Sequence, residues 1–345
     1  MQETMTGDGG EAVEPRGRGA TGVDLPAILT RLEAEEPTTQ RTAVQRIRTA
    51  IDDRGRTAAY APTVPKLRAL LERPEIDFHD EVAACLADLA AEVPTDVAPS
   101  TGAILGVAVE RADQPATAEL LRCIAAVAAE RPDVVADHAA EIADVLEERC
   151  GYDRQGILAL EHVSREEPTA IEPAVPVLTD ALASAPDEYG LPALRALGRL
   201  ARSGATPPSL EFVARAAALV DRDETALRHA AIDCLGDAAR CDPAAVESVC
   251  DELGAALARD DPDTRAVAAD AIARLAAESE PAIEPVRGRL LESLADDHPR
   301  VRANACLALG YGRVDAAESR LEELASEDPA PTVRDRAAWA VAQVS

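Results

Sequence analysis

Aromatic side chains are almost missing from this chain: one tryptophan, four tyrosines and two phenylalanines among 345 residues. Runs of β-branched residues are also few, and with alanine abundant the composition points to helix throughout rather than sheet. Lysine is reduced to Lys66; arginine supplies the rest of the 35 basic side chains, against 63 acidic ones, for a formal net charge of −28. That balance opposes a polyanion, and the arginines are interleaved with carboxylates, so no nucleic-acid partner is expected. No apolar run reaches the length of a membrane span and no secretory leader is visible, so we expect no membrane insertion and a soluble, cytoplasmic protein. Gly-rich phosphate loops, nucleophile elbows and Cys-x-x-Cys pairs are absent. His79, His138, His162, His229 and His298 show no metal-ligand spacing. No catalytic residue, metal site or cofactor is expected.

What the sequence does have is a period. The stretch DDHPRVRANACLALGYG, from Asp296 to Gly312, recurs in variants along nearly the whole chain. With Arg302 as position zero, the same frame starts at Gln40, His79, Thr117, Asp153, Gly190, Arg228, Arg265 and Arg334, in steps of 32 to 39 residues. Offset seven then reads Ile47, Leu86, Ile124, Leu160, Leu197, Leu235, Ile272, Leu309 and Val341. Offsets zero, three, four and seven share one side of a helix, so each copy buries a stripe. Offsets six and eight, Ala308 and Gly310 here, are small and would let a neighbouring helix come close. A second apolar register lies eight residues upstream, from Leu32 and Leu71 through Leu257 and Leu294, and fails in the ninth copy at Ser326. Two registers with one period imply nine stacked helix pairs, covering residues 24–345, behind a polar tail at 1–23 expected to be disordered.

The acidic, lysine-poor, alanine-rich composition resembles that of cytosolic proteins from salt-accumulating halophiles, in which salt screens the self-repulsion. Seven cysteines, an odd number, argue against a disulfide framework. Cys85, Cys123 and Cys234 fall at offset six and Cys306 at offset four, as small buried apolar groups. Cys150, Cys241 and Cys250 have no such place.

Helix pairs of this length, with Asp before the second helix and arginine at its start, resemble the HEAT repeat family. TALRHAAIDCLGDAA, DTRAVAADAIARLA, RVRANACLALG and TVRDRAAWAV carry the resemblance. It implies an all-α, right-handed α-solenoid of about nine helix pairs. It further implies a ladder of turn contacts from the pairs Asp223/Arg228, Asp260/Arg265 and Asp297/Arg302. The first five units lack the arginine, so their turns are held otherwise or are looser. Some enzymes of this type, the deoxyhypusine hydroxylases, bind iron through repeated His-Glu pairs, and no histidine here precedes a glutamate.

Offsets five and nine of each second helix point away from the core, towards the expected concave surface. They place Arg122, Arg195, Arg199, Arg274, Leu307, Tyr311 and Trp339 there as candidate partner-binding residues; the alternatives are a solvated, self-paired face and, for Trp339, a cap over the core of the final repeat. Arg199 is expected to meet Asp233 or Asp237, and Arg274 to meet Asp270. The function expected of such a face is a non-enzymatic scaffold or adaptor for protein partners. The alternative is a lyase-like or metal-dependent enzyme, or an accessory subunit of one.

Overall fold

The computed structural model describes residues 24–52, 57–149 and 152–344. The expected tail at 1–23 and Cys150 lie outside the described residues. Every regular element among those residues is helical. The first helices of the nine pairs are Leu25–Leu32, Val64–Leu71, Thr101–Glu110, Ala139–Glu148, Val175–Ser184, Glu211–Ala217, Cys250–Ala256, Arg287–Ser293 and Glu318–Glu327. The second helices are Pro37–Asp52, His79–Glu92, Pro115–Glu130, Arg154–Val163, Pro186–Arg202, Thr225–Ala238, Pro262–Glu278, Pro299–Tyr311 and Pro331–Val344. Each second helix packs on its own first helix and on the second helices before and after it, which makes an α-solenoid.

Proline explains how the first helices begin. Pro62, Pro173 and Pro285 sit inside seven-residue 3-10 segments, Thr57–Thr63, Pro168–Ala174 and Glu280–Val286, that lead into three of them. A proline there has no N–H to give and its ring crowds the preceding turn, so the lead-in bends away from the helix that follows. Asp242 and Asp261 cap the segments that start at Pro243 and Pro262, each accepting two backbone N–H bonds.

The apolar stripe is the core. In Thr225–Ala238 the zero, three, four and seven positions are Arg228, Ala231, Ile232 and Leu235, and none is more than 4% exposed. The offset-seven residues from Ile47 to Leu309 are fully buried, and only Val341 in the last unit is partly exposed. Each such leucine or isoleucine contributes about 1.5–3 kcal/mol relative to exposure.

Close approach between second helices depends on the small residues. A Cβ on Gly236 would come within 2.9 Å of the Ala271 Cα, and one on Gly310 within 2.9 Å of the Ala340 Cα. Gly198 faces the Cys234 Cα at 3.4 Å. Offset eight of one unit therefore meets offset six of the next, and the cysteines at offset six are part of that seam. Burial there pushes the Cys85 and Cys234 thiols well up and the Cys123 thiol up to about 12. Cys250 and Cys306 are buried as well, and Cys241 is half-buried, its thiol donating to the Ala201 and Ala205 carbonyls.

Candidate functional site

Position zero of the frame closes a clasp on its own turn. In the last four units the arginine Nη1 donates to the carbonyl six residues earlier: Arg228 to Arg222 at 2.7 Å, Arg265 to Arg259 at 2.9 Å, Arg302 to Asp296 at 2.8 Å and Arg334 to Asp328 at 2.7 Å. Three early units make the same bond with other chemistry. Gln40 Nε2 reaches the Ala34 carbonyl at 2.6 Å, and the Thr117 hydroxyl reaches Arg111 at 2.6 Å. His79 Nε2 lies 2.8 Å from the Arg73 carbonyl, which can only accept, so that nitrogen carries the proton. Burial lowers the His79 pKa.

The turn ladder joins units, but with other acids than the spacing suggests. Asp223, Asp260 and Asp297 enter it through their main-chain carbonyls, at 3.1, 2.9 and 3.1 Å from Arg228, Arg265 and Arg302. The carboxylates come from the following turn. Arg265 holds Asp296 with bonds of 2.7 and 3.0 Å, and Arg302 holds Asp328 with bonds of 2.8 and 2.9 Å. Arg228 bonds Thr264 at 3.0 Å and approaches Asp261 at 3.5 Å. The Thr264 hydroxyl, at 2.5 Å, is the main reason the Asp261 carboxyl drops to about 2. A long guanidinium closes on its own turn with one edge and leaves the other free for the next.

The outward offsets hold ion pairs that run backwards along the chain. Arg122 donates to Asp88 of the preceding unit at 2.7 Å and to Glu119. Arg199 meets neither Asp233 nor Asp237; it donates to Glu161 of the preceding unit at 2.7 Å and to the Ser164 hydroxyl at 3.1 Å. Asp237 is held instead by Arg202, at 3.0 and 2.8 Å, and by Arg274 at 2.5 Å. Arg274 also bonds Asp233 of the preceding unit at 2.8 Å and Asp270 of its own helix at 3.1 Å. Arg195 is exposed, with no ion pair to a described residue. Glu161 is 2% exposed and occupies offset eight, where neighbouring units carry alanine or glycine. Burial pushes its pKa up, but the bonds and charges of Arg199 and Arg165 together outweigh this and the net shift is downward. Sequence spacing missed Glu161 altogether, although its break in the run of small residues was visible.

At the last two units the face turns apolar. Tyr311 is 39% exposed, the large hydrophobic residue that stands out among the described ones. Its ring lies 4.6 Å, centre to centre, from that of Trp339 at a tilt of 58°. Trp339 is partly buried and packs over Gly310, whose missing side chain leaves it room; Leu307 is partly buried one turn before Tyr311. Beside this patch a hollow of 460 Å³ runs across four second helices, lined by Asp233, Val267, Asp270, Ala303, Asn304 and Arg336 among others. A second hollow of 600 Å³ lies by the turn at His79, Asp80 and Arg111.

Among the described residues no three His, Cys, Asp or Glu side chains converge as metal ligands. No helix among them is long and apolar enough to cross a membrane. Residues 288–345 match the family model for HEAT repeats. The chain is similar in fold to a solved structure from work on a phosphorylation switch that controls the interaction between cadherin and beta-catenin. The TM-score is 0.69 over 93% of this chain and 72% of that one, at 15% identity, a likeness of fold alone. No curated protein matches the chain in sequence.

Proposed function

We propose that this helix-pair solenoid, whose residues 288–345 match the HEAT-repeat model, is a non-enzymatic scaffold or adaptor holding a protein partner on its second-helix face. The exposed Tyr311, packed at a tilt against Trp339 within an otherwise charged surface, carries the reading. Aromatic anchors dominate the binding energy of protein interfaces, and a solvated helix face has no need of one. The first helix of the last unit exposes Glu322, Glu323, Ser326 and Glu327 and no aromatic residue. Localisation in the cytoplasm fits this reading.

Photo-crosslinking from position 311 in native cells tests it, with position 322 as the control on the other face. A defined adduct from 311 and none from 322 is expected. Equal adducts from both positions, or none from 311, would overturn the proposal.

A further inference from the structure

The hollow across the last four second helices carries opposite charges at its two ends. At the unit-six end, Asp233, Asp237 and Asp270 share Arg274, and Arg202 is the second cation on Asp237. Of these, Asp233 and Asp270 line the hollow itself and set the sign of this end. At the unit-nine end stands Arg336, which donates to the Asn304 amide oxygen. Asn304 is 7% exposed, and its own amide nitrogen donates to the Ala266 carbonyl at 2.8 Å. The guanidinium is therefore aimed by a buried, neutral group, and no ion pair joins it to a described carboxylate. In a chain with 63 acidic residues, an arginine oriented this way and left without a counter-charge has positive charge to offer a ligand. Arg300, at the same end, is in a loose surface pair with Asp263, both side chains more than 60% exposed. Between the ends the floor is apolar, with Ala266, Val267, Ala303 and Ala330.

The length of the hollow sets the size of what fits. Asp270 and Arg336 lie two second helices apart, roughly 16–20 Å at ordinary helix spacing, which an extended chain covers in about five or six residues. Resting on the reading of this face as protein-binding, we infer that the hollow takes an extended segment of a partner with a basic residue at one end and an acidic residue at the other. An apolar side chain between them lies over Val267 and Ala303, towards Leu307. Asp233 and Asp270 receive the basic group, and Arg336 receives the carboxylate.

Three labelled, end-blocked peptides test this against the full-length protein by fluorescence anisotropy: Arg-Ala-Ala-Leu-Ala-Ala-Glu, and the same host with Arg or with Glu at both ends. The dipolar peptide is expected to bind at least tenfold more tightly than either like-charged one. Arg336→Glu, checked for unchanged helical signal, is expected to lose that preference and to favour the peptide with two arginines. Equal affinity for all three peptides, or an Arg336→Glu variant with the wild-type preference, would overturn the inference. A position-311 adduct found alongside peptide indifference leaves the scaffold standing and removes only the two-ended hollow. Dipolar preference without any adduct would do the reverse.

Discussion

Arg302 and Asp328, 26 residues apart, are joined by two parallel hydrogen bonds of 2.8 and 2.9 Å across a unit boundary. Their side chains are 11% and 3% exposed, so water does little to screen the pair. Removing Arg302 leaves a buried carboxylate without its counter-charge, which costs about 3–5 kcal/mol. Arg302→Ala is therefore expected to lower the urea midpoint of the last two units first, as tryptophan fluorescence from Trp339 would report.

The same pair makes stability depend on acid. The Arg302 hydrogen bond holds the Asp328 carboxyl below the ordinary carboxylate range. A carboxyl depressed in the folded state stabilises above its unfolded value, near 4, and the contribution is lost as pH falls through the folded value. The unfolding free energy should be level near neutrality and fall below about pH 4. Asp328→Asn should flatten that acid limb, measured by urea titrations at pH 3 to 7.

Two glycines should respond in opposite directions to alanine. Gly236 faces the Ala271 backbone at 2.9 Å, so Gly236→Ala should destabilise by about 1–3 kcal/mol through overpacking, more than the helix-propensity gain of about 1 kcal/mol returns. Gly106, exposed within Thr101–Glu110 and with open space around it, should gain most of that propensity term. Paired chemical denaturation would check both.

Trp339 packs on the core while Tyr311 stands half out of it. Trp339→Ala should cost about 2 kcal/mol, less than the 3–5 of a wholly buried ring, and Tyr311→Ala under about 1 kcal/mol. Equal losses of melting temperature in the two variants would contradict their different burial.

Charge should also make folding depend on salt. With 63 acidic residues against 35 basic ones, self-repulsion is strong at low ionic strength and screened in molar KCl. Helical circular dichroism should rise steeply over that range; a full signal in a few millimolar buffer would contradict it.

The architecture was legible because packing imposed it on residue size. Offset seven had to be large and apolar, and offsets six and eight small, so the nine pairs could be counted from the sequence. The clasp at position zero was harder to see. Gln40, His79, Thr117 and Arg228 share no charge or shape, only a donor that reaches one carbonyl. The direction of the surface pairs was not legible either. Whether Arg199 and Arg274 lean forward or back depends on the stagger between neighbouring helices, which no spacing along one helix reports. Asp296 and Asp328 were passed over because turn length, rather than distance from the arginine, decides which carboxylate arrives.

Glu161 bears on how such a chain can change its length. Second helices that meet through alanine or glycine present nearly interchangeable surfaces, so a copying error that adds or drops a unit there joins like to like. At the fourth unit the seam is a carboxylate fitted to Arg199 of the fifth and Arg165 of its own turn. A unit inserted at that joint would meet a buried carboxylate held only by Arg165 of its own turn. The joint between the fourth and fifth units is thus closed to such an insertion unless the new unit brings a guanidinium of its own.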